Sequence, residues 1–329
     1  MYILLIGSNS FAGANFAKYL LDKKYRVIGV SRSKELKSFY LPYFKSKYLH
    51  NFQFFKINLN KDQDLKILIN LVKKYNIKYI VNFAAQGMVA ESWHKPEDWY
   101  NTNTTSNSKL INILSKLNLK KYLNFSTPEV YGNVKKKIKE NLNFYPSTPY
   151  AVSRAAQDMN LLAYKKFLNF PVVFTRAANI YGPGQKLYRI IPKTIISAIL
   201  KKKVYLHGGG KSVRSFIFID DVSFILDKIL FDKYNAGETY HISTNQFITI
   251  KNLVLMILDI MKVNKSLILF AKERRGKDHG YLLDSSKARK KYRWKEKILL
   301  DEGLKRTINY IHKKFYCIKN ESLEYKHKK

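Results

Sequence analysis

Through the first 180 residues of this 329-residue chain, short β-branched and aromatic runs alternate with longer stretches in which apolar residues recur every three or four positions. The short runs predict strands at 2–6, 26–30, 52–57, 78–83, 121–126 and 171–176. The longer stretches predict helices at about 12–22, 62–75, 97–117 and 149–168. Strands separated by such helices form a parallel sheet, because parallel neighbours need a crossover and cannot be joined by a tight turn. The expected fold is therefore α/β, a Rossmann-type doubly wound parallel sheet. Beyond residue 180 the alternation loosens into a helix near 190–201, short strands at 204–206 and 215–219, and a helix from Asp220. Apolar-periodic segments follow at 250–262, 284–291 and 301–314. The expected division is a main domain over 1–180, a smaller C-terminal α/β lobe over 181–320 with interleaved segments, and a frayed tail over 321–329.

Composition changes this picture little. Hydrophobic residues make up 46% of the chain, enough for a sizeable core. The single cysteine, Cys317, excludes an intrachain disulfide framework, and the seven scattered histidines show no zinc-ligand spacing. Both fit a reducing cytoplasm and no bound metal. The apolar start "MYILLIG" lacks a basic flank and runs into a glycine turn, so it reads as a strand and not a signal peptide. The run "LVLMIL" is too short to span a bilayer. A formal charge of +36 raises the question of nucleic acid. The lysines, however, are spread along the chain in ones, twos and threes, without a basic amphipathic helix or an aromatic-basic repeat, which argues against that partner.

The first candidate chemistry lies directly after the first strand. "GSNSFAG" places Gly7 and Gly13 at the outer positions of a glycine-rich turn opening a helix, with Ser10 where the dinucleotide fingerprint has its middle glycine. Such a turn presents a helix N-terminus to a pyrophosphate. About 20 residues further on, where an NAD-binding protein offers an acid to the ribose hydroxyls, stands Ser31-Arg32-Ser33. An acid would repel a 2′-phosphate, whereas a guanidinium flanked by hydroxyls binds one, so NADP is favoured over NAD.

Ordered motifs continue along the chain: "NFAAQ" at 82–86, "STPEVYG" at 126–132, "TPYAVSR" at 148–154, "RAANIYGPG" at 176–184, "RSFIFIDDV" at 214–222 and "ERRGKDHGYLLDSSKA" at 273–288. Together with the glycine turn they resemble the extended short-chain dehydrogenase/reductases, and within them the nucleotide-sugar 4,6-dehydratases of the GDP-mannose and dTDP-glucose type. The resemblance implies that Tyr150 takes the sugar's C4 hydroxyl proton. It implies a lysine four residues on, where this chain has Arg154, to hold the nicotinamide ribose and lower the tyrosine's pKa. Arginine keeps the positive field but is bulkier and permanently charged. Glu129 matches the dehydratases' C5 base, which related epimerases lack, and Thr127 matches a hydrogen-bond partner of the C4 oxygen. Pro128 stands where the dTDP-glucose branch has an acid. Phe11, Asn58, Leu59, Ala84, Ala85, Gln86 and also Tyr150 are implied to line the cofactor. Met88, Asn179, Arg189, Arg214 and Arg274 are implied to meet the substrate.

The function these features imply is NADP-dependent 4,6-dehydration of a nucleotide-diphosphate sugar. The alternatives are a 4-epimerase or 4-ketoreductase, and an inactive nucleotide-binding homologue, suggested by Arg154 and Pro128. Family members pair the tyrosine-bearing helix with the one before it, so a homodimer or homotetramer is expected.

Overall fold

The computed structural model describes residues 1–134, 136–272, 280 and 282–327. Its centre is a seven-stranded, wholly parallel sheet. Five strands come from the first half: β1 (Tyr2–Ile6), β2 (Arg26–Ser31), β3 (Phe52–Lys56), β4 (Tyr79–Asn82) and β5 (Lys121–Phe125). The other two are β6 (Val172–Ala177) and, further along the chain, β11 (Thr239–Ile242). Their order is β11-β6-β5-β4-β1-β2-β3, so the chain reverses direction across the sheet between β1 and β4. A crevice opens at such a switch point, outside the carboxyl ends of the strands.

Alternate side chains of β1 bury both faces of the sheet. Ile3 and Leu5 join the cluster formed with Phe16 and Leu20 of helix α1 (Phe11–Asp22). Leu4 and Ile6 join the opposite cluster with Leu65, Leu68 and Val72 of helix α2 (Asp62–Lys74). The region expected as one helix over 97–117 is three pieces. These are α3 (Pro96–Trp99), a π-helical turn at Tyr100–Thr105, and α4 (Ser106–Leu114). Helix α5 (Pro149–Leu168) then runs for 20 residues, started by Thr148, whose hydroxyl accepts from Ala151 N, and by Pro149 in its first turn.

The second half adds β7 (Asn179–Tyr181), α6 (Ile190–Ile199), β8 (Val204–His207), β9 (Val213–Arg214), β10 (Phe216–Phe218) and α7 (Ile219–Phe231) before β11. After it come β12 (Ile248–Thr249), α8 (Ile250–Ile260), β13 (Ile268–Ala271), α9 (Ser286–Tyr292) and α10 (Leu300–Ile318). Three two-stranded sheets accompany the central one, β7 with β10, β9 with β12 and β8 with β13. Tyr181, Phe216 and Phe218 join the main core, whereas Ala198, Val204, Leu206, Val254 and Leu258 form a separate small one. Among the described residues no helix is long and apolar enough to cross a membrane.

Candidate active site

The turn between β1 and α1 has room only for hydrogen where its glycines stand. Gly7 has φ +87°, and a Cβ there would meet Ala84 N at 2.7 Å. A Cβ on Gly13 would lie 2.4 Å from the Gly7 carbonyl oxygen. Ser10, in place of a middle glycine, is the N-cap of α1, and its hydroxyl accepts from Gly13 N at 3.0 Å. A serine here stabilises the helix start by about 1 kcal/mol while staying small beside the helix's free N–H groups. Phe11 begins α1 and packs against the core. This cradle fits a dinucleotide pyrophosphate.

Asn9, which the sequence did not single out, ties the turn to the end of β2. Its backbone N–H donates to Ser31 Oγ (2.9 Å), and its amide donates to the carbonyls of Ser33 (3.1 Å) and Lys34 (3.0 Å). The Ser31 hydroxyl is thereby engaged within the protein, leaving Arg32 as the cation of this corner. Burial lowers the Arg32 pKa, against the opposing pull of Tyr325 and Asp98. Asn58 spends its carbonyl on capping Asn60 N (3.1 Å), and Leu59 beside it is buried in the core.

After β4 the chain crosses the mouth of the switch point through Ala84, Ala85 and Gln86. Ala84 N donates to Asn82 Oδ1 (3.0 Å). Asn103, wholly buried on the π-helical turn, holds the Gln86 peptide from both sides, accepting from Gln86 N (2.7 Å) and donating to Gln86 O (3.0 Å). Its amide also reaches Ser153 Oγ on α5 (2.9 Å). A π turn widens a helix by one residue, and here it aims this asparagine inward. Met88 follows at φ +78°, a conformation costing a side-chain-bearing residue roughly 1–2 kcal/mol.

At the end of β5, Thr127 caps a 3-10 turn, Pro128–Tyr131, and Pro128 occupies its first position, where no N–H is needed. The Thr127 hydroxyl donates to Glu129 Oε2. Tyr150, at the second residue of α5 with its N–H on Ser92 Oγ (3.2 Å), hydrogen-bonds with Thr127. Burial, followed by the Glu129 charge, raises the Tyr150 pKa. Arg154, Thr127 and Arg189 at the start of α6 pull it back down. The net direction favours the neutral phenol at rest, although a cation lies beside it. Arg154 is almost fully buried and donates from Nη2 to the Phe125 carbonyl (2.6 Å), while its Nε has no partner among the described residues.

Tyr150, Arg154 and Asp158 share one face of α5 at successive four-residue steps. Asp158 accepts from Asn124 Nδ2 (2.9 Å), Ser126 Oγ (2.6 Å) and Arg176 Nη2 (2.8 Å). Arg176 reaches on to the Tyr131 hydroxyl, which meets His241 Nε2 at 2.8 Å. This wholly buried network locks the helix that carries Tyr150 to the strand ends that carry Thr127 and Glu129. Sequence reasoning missed Asp158; its i+8 spacing from Tyr150 was the available signal.

The structure thus brings Thr127, Glu129, Tyr150, Arg154 and Arg189 together. Asn179 opens β7, its N–H on Ser215 O (3.0 Å). Arg214 sits in β9 with Nη1 on the Val213 carbonyl (2.8 Å). Arg274 lies outside the described residues.

A switch-point crevice with a glycine cradle at one end and a Thr-Glu-Tyr cluster at the other defines the class: an extended short-chain dehydrogenase/reductase of the nucleotide-sugar dehydratase and epimerase group. The sequence model described as GDP-mannose 4,6 dehydratase matches residues 4–307, and the chain belongs to that family. It is similar to the low-salt glycan biosynthesis protein Agl12 of Haloferax volcanii, with 27% identity over 94% of this chain and 98% of that one. It is 29% identical to the dTDP-D-glucose 4,6-dehydratase of Mus musculus over 82% of this chain and 77% of the relative. Among solved structures it resembles the dTDP-glucose 4,6-dehydratase of Bacillus anthracis in complex with NAD. That match has a TM-score of 0.85 and 28% identity, and covers 98% of this chain and 100% of that one.

Proposed function

We propose that this protein is a nucleotide-sugar 4,6-dehydratase of the GDP-mannose 4,6-dehydratase type, acting on a nucleotide-diphosphate hexose with a tightly held nicotinamide cofactor. The observation that carries the reading is Glu129, a carboxylate tied to Thr127 within the Tyr150 site. A C4 epimerase or ketoreductase has no use for a second base there.

The cofactor, when bound, supplies a hydride acceptor at C4 and a hydride donor at C6. The protein's residues move the protons. In its ionised form, which the Arg154 charge and the Thr127 hydrogen bond favour against burial, Tyr150 would take the C4 hydroxyl proton during oxidation at C4. The resulting ketone acidifies C5, and Glu129 removes that proton. Pro128 offers no acid, so Glu129 also gives the proton to the departing C6 hydroxyl, which leaves as water. With hydride supplied at C6 by the bound cofactor, C5 would take a proton from solvent, giving the 4-keto-6-deoxy sugar. Arg189, at the N-cap of α6, and Arg214 in β9 are proposed for the substrate diphosphate, and Asn179 for the sugar phosphate.

NADP is proposed over NAD, supported by Arg32 and by the lack of an acid at the end of β2. Titrating the purified protein with NADPH and NADH tests this, and Arg32→Ala is expected to remove the preference. A homodimer through α5 is supported by the exposure of Val152, Met159, Phe167 and Leu168, and light scattering tests it. A cytoplasmic setting is supported by the one free, exposed cysteine, Cys317.

A further inference from the structure

The segment after α10, expected to fray, is held against the groove just described. Gln86 Nε2 donates to the Tyr325 hydroxyl (3.1 Å) and to His327 Nδ1 (3.1 Å). His327 Nε2 meets Asp98 Oδ2 at 2.6 Å, so a single tautomer, protonated on Nε2, satisfies both ring nitrogens. The His327 ring stacks on Trp99 with centroids 5.0 Å apart and planes 14° from parallel. Tyr325 packs edge-on against Tyr188 at 5.4 Å, and the charges of Arg32 and Arg189 both act on its phenol. Ion pairs fasten the approach to these contacts, Lys37 with Glu321 and Lys193 with Glu324 (2.6 Å).

The partners of the tail lie on both sides of the crevice. Lys37, Gln86, Asp98 and Trp99 belong to the sheet domain, whereas Tyr188 and Lys193 sit on and before α6 of the smaller lobe. Arg32 and Gln86, two of the residues expected to touch the cofactor, act on Tyr325. The fastening is the kind that opens without unfolding the protein: exposed ion pairs contribute little, and short segments with few buried apolar contacts detach locally.

We propose that residues 321–327 are a strap across the mouth of the cofactor groove, which must lift off Gln86 for the nicotinamide dinucleotide to enter or leave. This rests on the reading that the groove takes such a cofactor. A strap of this kind suits a reaction in which the hydride removed at C4 is returned to the same sugar, because cofactor lost between the two steps leaves the product unfinished.

The test is stopped-flow fluorescence of NADPH binding and of its displacement by NADP. It compares the full chain, the full-length Tyr325→Ala/His327→Ala variant, and a chain ending at Asn320. Both association and dissociation are expected to quicken about tenfold in the two variants, the effect of losing roughly one hydrogen bond's worth of closure. Their equilibrium affinity should change far less, and their circular dichroism should match the full chain. Unchanged rates in both variants overturn the strap, as does a change confined to dissociation, which would make the tail an ordinary part of the binding site. A full chain that binds neither NADPH nor NADH overturns the cofactor reading and the strap with it.

Discussion

Replacing Asp158 by Asn removes the carboxylate that accepts from Asn124, Ser126 and Arg176 behind the candidate active site. Asp158 and Arg176 are 0% and 1% exposed, and their ion pair spans 2.8 Å. Taking the charge from one partner leaves a guanidinium buried without a counterion, which costs about 3–5 kcal/mol. A chain of 329 residues unfolds with an entropy near 0.7 kcal/mol/K, at about 2.1 cal/mol/K per residue. The midpoint should therefore fall by roughly 4–7 °C, read by calorimetry. Arg176→Met should cost a similar amount by leaving Asp158 alone. The double variant should cost markedly less than the sum, with a coupling of at least about 2 kcal/mol, since neither charge is then stranded. In catalysis, Asp158→Asn should lower kcat more than it raises KM, because Ser126 and Asn124 lose the anchor that sets Thr127 against Tyr150. Two single variants that each cost under about 1 kcal/mol and add without coupling would refute the reasoning.

Tyr150→Phe should reduce formation of the reduced nicotinamide, followed by absorbance, by about 10²–10⁴-fold while leaving cofactor binding intact. Because burial and Glu129 raise the Tyr150 pKa, its phenolate fraction grows as pH rises, so the oxidation half-reaction should climb with pH beyond neutrality. Glu129→Gln removes the repelling charge and should move that climb to lower pH. Gly13→Ala drives a Cβ to 2.4 Å from the Gly7 oxygen and should weaken NADPH binding in a fluorescence titration by at least about tenfold. Burial, with Arg176 nearby, pushes the His241 imidazole down to about 3, below its unfolded value near 6.5. A depressed folded pKa gives stability that is present above pH 6.5 and lost as pH falls towards 3, on the order of 5 kcal/mol across that window. His241→Gln should flatten the acid limb of a denaturation series.

The strands β1 to β6 were legible because each is a compact β-branched or aromatic run between turn residues, and both faces of the parallel sheet demand apolar side chains. β11 was not foreseen. Its four residues, Thr239–Ile242, include the buried His241, whose place is set by Tyr131 and the Asp284 carbonyl and not by any local pattern. The π turn at Tyr100–Thr105 was invisible for a related reason. Its widened geometry puts Asn103 on the Gln86 peptide, a contact between residues 17 positions apart that helical periodicity does not encode. Glycine positions carried over well, since a Cβ collision at Gly7 or Gly13 is a local matter. Arg154 showed its spacing in the sequence but not its hydrogen bond to Phe125 O, and Ser10 revealed its capping role only once Gly13 N was placed. The tail looked unattached because its partners, Gln86 and Trp99, lie more than 200 residues away in the chain.

The central claim, that Glu129 makes this site a dehydratase, is tested most directly by mass spectrometry of the products formed from GDP-mannose, dTDP-glucose, and UDP- and CDP-linked hexoses. A dehydratase forms a product one water lighter from at least one of them. Glu129→Gln should abolish that product while still reducing the cofactor. A product of unchanged mass, or water loss that survives Glu129→Gln, would contradict the claim.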